Sequence, residues 1–125
     1  MKNIISAANA PAAIGPYSHA VATGDFLFTS GQIALNPETG ALVGHTIEEQ
    51  TKQVLRNLEA VLNANGMTFE NVIKTTVFLT DLSDFSVVNG IYASCFQNDP
   101  PARSCVQVAG LPGGSKIEIE LIAHR

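Results

Sequence analysis

The residues with the most chemical potential lie near the end of the chain. In the strand-like run Arg103–Val108 alternate residues share a face, so Arg103, Cys105 and Gln107 lie together, with Ser104, Val106 and Val108 opposite. In the second run, Lys116–His124, Ile117, Ile119, Leu121 and Ala123 form an apolar stripe, while Glu118, Glu120 and Ile122 point the other way. The stretch Gly110-Leu111-Pro112-Gly113-Gly114 between them predicts a hairpin, which would set a guanidinium beside two carboxylates in mostly apolar surroundings. Such a pair could hold an acidic substrate. Arginine grips a carboxylate in two-pronged fashion, and a nearby glutamate can orient or activate water. On geometry alone the plainer reading is favoured, a cross-strand ion pair on a solvated edge worth about 0–1 kcal/mol.

Other residues could contribute. Tyr17, directly after Gly15-Pro16, is placed to act as a pocket lid whose hydroxyl could bind a ligand, although packing at a loop-to-strand junction is the commoner role. Ser30 lacks the glycine two positions earlier that a nucleophile elbow has, because Phe28 stands there, so it suits binding better than attack. Asn89, beside Gly90, could equally be an ordinary solvent-facing helix residue. Gly113-Gly114-Ser115-Lys116 has Ser before Lys and precedes a strand, which excludes a phosphate loop. Cys95 and Cys105 lack CxxC spacing, and His19, His45 and His124 are far apart with no Cys, Asp or Glu at ligand spacing, so no metal is expected.

These residues need elements to position them. Residues 8–16 carry Pro11, Gly15 and Pro16 and predict an extended loop. Ala20–Ala22, the Gly24-Asp25 turn and Phe26–Ser30 predict a hairpin, followed by a loop over 36–44. Thr46 and Glu49 fit a capping box, and Ile47, Val54, Leu58, Val61 and Leu62 then fall on one helical face until Asn65-Gly66. Val72–Leu79 is rich in β-branched residues and predicts a strand. A second helix begins near Ser83 or Asp84, with Phe85, Val88, Tyr92, Cys95 and Phe96 on one side, interrupted by Gly90. The resulting order, β-β-α-β-α-β-β, implies an α+β fold: a mixed sheet with two helices packed on one face.

Composition bounds the partners. The 125 residues form one expected domain, 1–125, with 46% hydrophobic but only 14% charged residues and a net charge of −4. Charged residues typically make up about 25% of a soluble domain, and hiding surface against other copies of the chain is an economical way to need fewer. If the sheet face opposite the helices is largely apolar, contact between subunits would cover it. The acidic balance and scattered Lys and Arg give no footprint for nucleic acid or an anionic membrane. No apolar run approaches a spanning length, and Asn3, Ser6 and Asn9 break up the signal-peptide-like start, so a cytoplasmic location is expected.

Several separated blocks together resemble one family. Pro101-Ala102-Arg103-Ser104-Cys105-Val106, then Ala109, Leu111 and Ile117-Glu118-Ile119, are similar to the C-terminal signature of the reactive intermediate deaminase (Rid, or YjgF) family. Ala10–Tyr17, Thr29-Ser30-Gly31-Gln32 and Val72–Leu79 resemble its other blocks, in the same order along the whole chain. The resemblance implies a chorismate-mutase-like (bacillus-type) α+β subunit, assembled as a homotrimer with pockets between neighbouring subunits. It also implies a hydrolase acting on C–N bonds, converting 2-imino acids such as 2-iminopropanoate (from 2-aminoacrylate) and 2-iminobutanoate to 2-keto acids and ammonia, with no cofactor or metal. By position, Arg103 would bind the substrate carboxylate and Glu118, rather than Glu120, would place the attacking water. Tyr17, Ser30, Gly31 and Asn89 would line the pocket, and the Cys105 backbone, not its thiol, would contact the imine nitrogen or the water. Two departures bear on the pocket mouth: His19 stands where a Gln is common, and the stretch before Pro101 is short. Related proteins have also been associated with ribonuclease or translation-inhibiting activity, and with chaperone-like or carboxylate-sensing roles. The acidic charge weighs against RNA.

Overall fold

The computed structural model describes residues 1–125. Six strands and two helices follow the order β1 (Asn3–Ile5), β2 (Ala20–Thr23), β3 (Phe26–Thr29), α1 (Ile47–Ala64), β4 (Val72–Leu79), α2 (Phe85–Cys95), β5 (Ala102–Gln107) and β6 (Ile117–His124). The strands form one mixed sheet in the spatial order β1-β2-β3-β6-β4-β5. All neighbours are antiparallel except β4 and β5. The expected α+β layering holds, with one strand more than the sequence reading. β1 is only three residues long, too short to show a period, and gains its place by pairing Ile4 with Val21.

α1 begins as its capping residues dictate. The Glu49 amide donates to Thr46 Oγ1 at 3.1 Å and the Thr46 hydroxyl donates to the Glu49 carboxylate at 3.0 Å, satisfying a helix-start donor. The helix ends at Asn65, where Gly66 takes a φ of +68° that favours glycine. Val54, Leu58, Val61 and Leu62 are fully buried against the sheet, whose facing stripe is Ile117, Ile119, Leu121 and Ala123 of β6 with Val77 and Leu79 of β4. α2 runs through Gly90 without a break and buries Val88 and Tyr92.

The predicted β5–β6 hairpin does not form. β4 lies between the two strands, antiparallel to β6 and parallel to β5, with Thr75 opposite both Arg103 and Leu121. The physical reason is the crossover: a strand that returns through a helix, as β4 does through α2, comes back parallel to the strand it left. β5 therefore takes the outer edge, and the connection 108–116 spans the width of β4 through a short helical turn at Pro112–Gly114.

The period-two faces are as expected. One sheet face packs on the helices. The other is uncovered within the chain and mixed in character: Ile4, Phe26, Phe28 and Val106 are exposed on it, beside Glu118, Glu120, Thr76 and the Lys74–Ser104 hydrogen bond of 3.0 Å.

A polar stripe on α1 fastens the loop after β3. Asn57, buried, donates through Nδ2 to the carbonyls of Ile33 and Leu35 at 3.2 and 3.0 Å and accepts from Gln53 at 2.9 Å. Replacing it by an apolar residue strands a buried acceptor. Asn57→Leu should lower unfolding stability by about 1–3 kcal/mol, read as a shift of the urea midpoint at constant m value.

Candidate functional site

Arg103 and Glu118 sit on opposite faces of the sheet. In β4 Thr75 and Val77 face the helices, and Arg103 and Cys105 are their register partners in β5, so both lie on the helix side. Phe78 pairs with Glu118 on the other side. The expectation of a guanidinium beside two carboxylates on one hairpin is therefore corrected: one chain carries two separate groups of functional residues.

The first group surrounds Glu118. Gln32 and Ile119 exchange backbone hydrogen bonds at 2.9 and 3.1 Å, which draws Ser30-Gly31-Gln32 alongside β6. Gly31 then lies so close to Glu118 that a Cβ there would stand 2.5 Å from Glu118 Oε2 and 2.7 Å from its carboxyl carbon. A side chain here would have to push the Glu118 carboxylate aside, so glycine leaves that carboxylate where it lies. Around the carboxylate is a cavity of about 360 Å³ whose wall includes Pro11, Ile14, Tyr17, Ser30, Leu35 and Pro112. The Ser30 hydroxyl donates to the Ser18 carbonyl at 2.6 Å, leaving its oxygen as an acceptor, and the Tyr17 hydroxyl accepts from the Ile14 amide at 3.3 Å, leaving its proton available. Burial, followed by the charge of Glu120, raises the Glu118 pKa above the ordinary 4.5. Glu118 forms no ion pair, so it is suited to hold or exchange a proton.

The second group surrounds Arg103. Its Nη1 donates to Asn89 Oδ1 at 2.7 Å, and the guanidinium carbon lies 5.2 Å from the Phe85 ring centre and 4.9 Å from that of Tyr92. Phe85, Asn89 and Tyr92 are spaced by a helical turn and two turns, so one stripe of α2 holds the guanidinium with two rings and an amide. Tyr92 is fixed in turn by a 2.7 Å hydrogen bond between its hydroxyl and that of Thr75. Every partner is neutral. The charge of Arg103 is therefore held in place but not cancelled, beside an open depression bounded by Phe96, Pro100 and Pro101. Helical spacing sets Phe85 and Tyr92 on one side of α2 with Val88, Cys95 and Phe96 and does not by itself single out their part in the grip. Their spacing around Asn89 was the available signal.

Cys105 is half-buried, and burial pushes its thiol pKa upward, with Arg103 opposing more weakly. That environment suppresses the thiolate. Its main chain points elsewhere: Val108 N–H binds the Leu79 carbonyl at 2.8 Å, so by alternation the backbone groups of Arg103, Cys105 and Gln107 face away from β4 along the open edge of the sheet. No cluster of three or more His, Cys, Asp or Glu could hold a metal ion, and no helix is long and apolar enough to cross a membrane.

Comparison with known proteins gives a consistent picture. The model of the family described as Endoribonuclease L-PSP matches residues 7–125. The chain is 50% identical over 123 residues to the 2-iminobutanoate/2-iminopropanoate deaminase of Mus musculus, covering 98% of this chain and 91% of that protein. It is also 50% identical over 122 residues to the chloroplastic Reactive Intermediate Deaminase A of Arabidopsis thaliana, covering 98% of this chain but spanning 65% of that longer protein. The crystal structure of YyfA from Yersinia pestis, a protein of the conserved Rid family, superposes with a TM-score of 0.97 at 49% identity, covering 100% of both chains.

The raised pKa of Glu118 has a measurable consequence. A carboxylate whose pKa is higher in the folded state than in the unfolded one favours folding in acid, and that contribution is lost as pH rises through the folded-state value. Glu118→Gln should therefore melt higher than the wild type at neutral pH, with the gap shrinking as pH falls through the folded-state value and closed once pH is below the ordinary 4.5. A gap that does not change with pH would contradict this reading.

Proposed function

This chain belongs to the endoribonuclease L-PSP family, the YjgF/Rid family, and from that premise we propose that it hydrolyses reactive 2-imino acids to 2-keto acids and ammonia, in pockets built by two copies of the chain. The observation that carries the second half is the placement of Arg103 and Glu118 on opposite sheet faces. A site that uses both must take them from different subunits, and a head-to-tail ring, a homotrimer in the expected form, repeats such a pocket at each contact. The uncovered sheet face, with Ile4, Phe26, Phe28 and Val106, offers apolar area for that contact. The low charged fraction fits the same assembly.

The proposed chemistry follows from the two groups. Arg103 receives the substrate carboxylate, its free N–H groups presented by the neutral grip of Phe85, Asn89 and Tyr92. The main chain of Cys105, on the open edge, lies one register step away and offers a donor and an acceptor to the imine nitrogen or to water. Glu118 of the neighbouring copy takes a proton from water as the oxygen adds to the protonated imine carbon. That proton is returned to the nitrogen of the tetrahedral adduct, and as the C–N bond breaks the adduct's hydroxyl gives its proton back to Glu118, so that ammonia leaves, taking up that proton as ammonium, and the 2-keto acid remains. Proximity supplies most of the effect, because a protonated imine is already electrophilic. Tyr17, Ser30 and Gly31 belong to the Glu118 wall and Asn89 to the Arg103 wall. The reaction written this way needs neither metal nor cofactor. The family's name points to RNA cleavage, but a net charge of −4 with scattered Lys and Arg weighs against an RNA substrate.

Kinetics and binding of the wild type and two variants test this. With 2-aminoacrylate and 2-iminobutanoate generated in solution, the wild type should accelerate imine loss and ammonia release. Arg103→Ala should weaken substrate binding by roughly 10²–10⁴, the loss of two charge-assisted hydrogen bonds. Glu118→Gln should lower turnover more than affinity. The decisive arm mixes the two inactive variants: after dissociation and reassembly, about a quarter of the pockets combine an intact Arg103 with an intact Glu118 if neighbours share each site. Failure of the mixture to regain activity would place both residues' work within one chain. Binding of a 2-keto acid by the wild type without accelerated imine loss would instead mark a carboxylate sensor.

A further inference from the structure

His19 forms no part of the cavity wall, yet its side chain fastens much of that wall. Residues 7–17 contain no helix or strand, and their other hydrogen bonds are local: Ala10 N–H to the Ala7 carbonyl, Tyr17 N–H to the Gly15 carbonyl, and Ile14 N–H to the Tyr17 hydroxyl. The bonds that tie the segment to the edge of β2 come from the buried imidazole of His19. The Ala7 amide donates to Nδ1 at 2.9 Å, and Nε2 lies 2.6 Å from the Pro11 carbonyl. An amide N–H can meet Nδ1 only if that nitrogen is bare, and a carbonyl can meet Nε2 only if that nitrogen carries the proton. The ring is thus the neutral Nε2–H form, satisfied at both ends. On its main-chain side, the His19 carbonyl accepts the Ser30 N–H at 2.9 Å. One residue therefore touches both banks of the Glu118 cavity: Pro11 through its ring and Ser30 through its backbone.

We propose that His19 is a positioning residue for substrate binding, setting the distance between the Pro11–Tyr17 wall and the Ser30–Gly31 wall, and that the bare-Nδ1, protonated-Nε2 ring is the form that does so. The proposal rests on the deaminase reading of the cavity for its substrate, but not for its geometry. The required chemistry is one acceptor and one donor a fixed distance apart. A glutamine side chain offers the same pair. A phenylalanine of similar ring size offers neither.

The test compares the wild type with His19→Phe and His19→Gln. Long-range proton–nitrogen spectra of the wild-type imidazole should show protonated Nε2 and bare Nδ1. The opposite tautomer, or a ring protonated on both nitrogens at neutral pH, would overturn the proposal even if His19→Phe failed to fold. In folded His19→Phe, KM for 2-iminobutanoate and the Kd for 2-oxobutanoate should rise about tenfold or more while kcat changes by less than about threefold, and the Ala7 amide should exchange faster. His19→Gln should restore KM, Kd and Ala7 protection to near the wild-type values. Wild-type KM and Kd in His19→Phe, or no recovery in His19→Gln, would reduce His19 to a packing residue. Should the wild type bind 2-oxobutanoate without turning over the imine, the deaminase reading fails alone, and the Kd and exchange comparisons still decide the role of His19.

Discussion

The parallel pairing of β4 with β5 is the constraint on which the functional architecture depends. It inserts β4 between the two strands that carry the reactive residues, fixes β5 as an edge, and holds Arg103 and Cys105 on the helix side while Glu118 faces away. A sheet is too thick for a single substrate to reach around, so the same backbone hydrogen bonds that stabilise the monomer separate its guanidinium from its carboxylate.

The two groups are built on opposite electrostatic plans. Arg103 is surrounded by neutral partners, two aromatic rings and an amide, which fix the guanidinium without supplying a counter-charge. Glu118 is set against a glycine backbone in a largely apolar wall, where burial and the neighbouring Glu120 favour its protonated form. An anionic ligand at Arg103 completes an ion pair, whereas a proton at Glu118 relieves a desolvated charge. Each group is thus biased toward the ligand that the other does not attract.

Much of this was legible in local pattern. The Thr46–Glu49 box, the alternation of β6 and the faces of β5 follow from spacing over a few residues, and each appears where the spacing placed it. Strand order does not follow from such spacing. The glycine-rich stretch before β6 has the composition of a hairpin turn, yet its length and the preceding helix send β5 to the far side of β4. The grip on Arg103 escaped for a related reason: Phe85 and Tyr92 looked like core residues at helical spacing, and only the register of β4 against β5 brings the guanidinium between them. β1 was too short to carry a period, and His19 stood out only as a departure from a common residue, because its partners Ala7 and Pro11 lie in a loop without one. Gly31 and Glu118 were both singled out, but their contact depends on the Gln32–Ile119 bridge, a long-range pairing.

The open rim of β5 also has a cost for the isolated chain. Unpaired N–H and C=O groups along an edge strand are a template for any extended segment, and here they lie near the exposed Val106. Pro100 and Pro101, directly ahead of the strand, have no amide hydrogen to offer, so a growing ladder meets its end there. The isolated chain therefore carries a short, proline-stopped adhesive strip, and any extended segment that meets it in solution finds a ready template for aggregation.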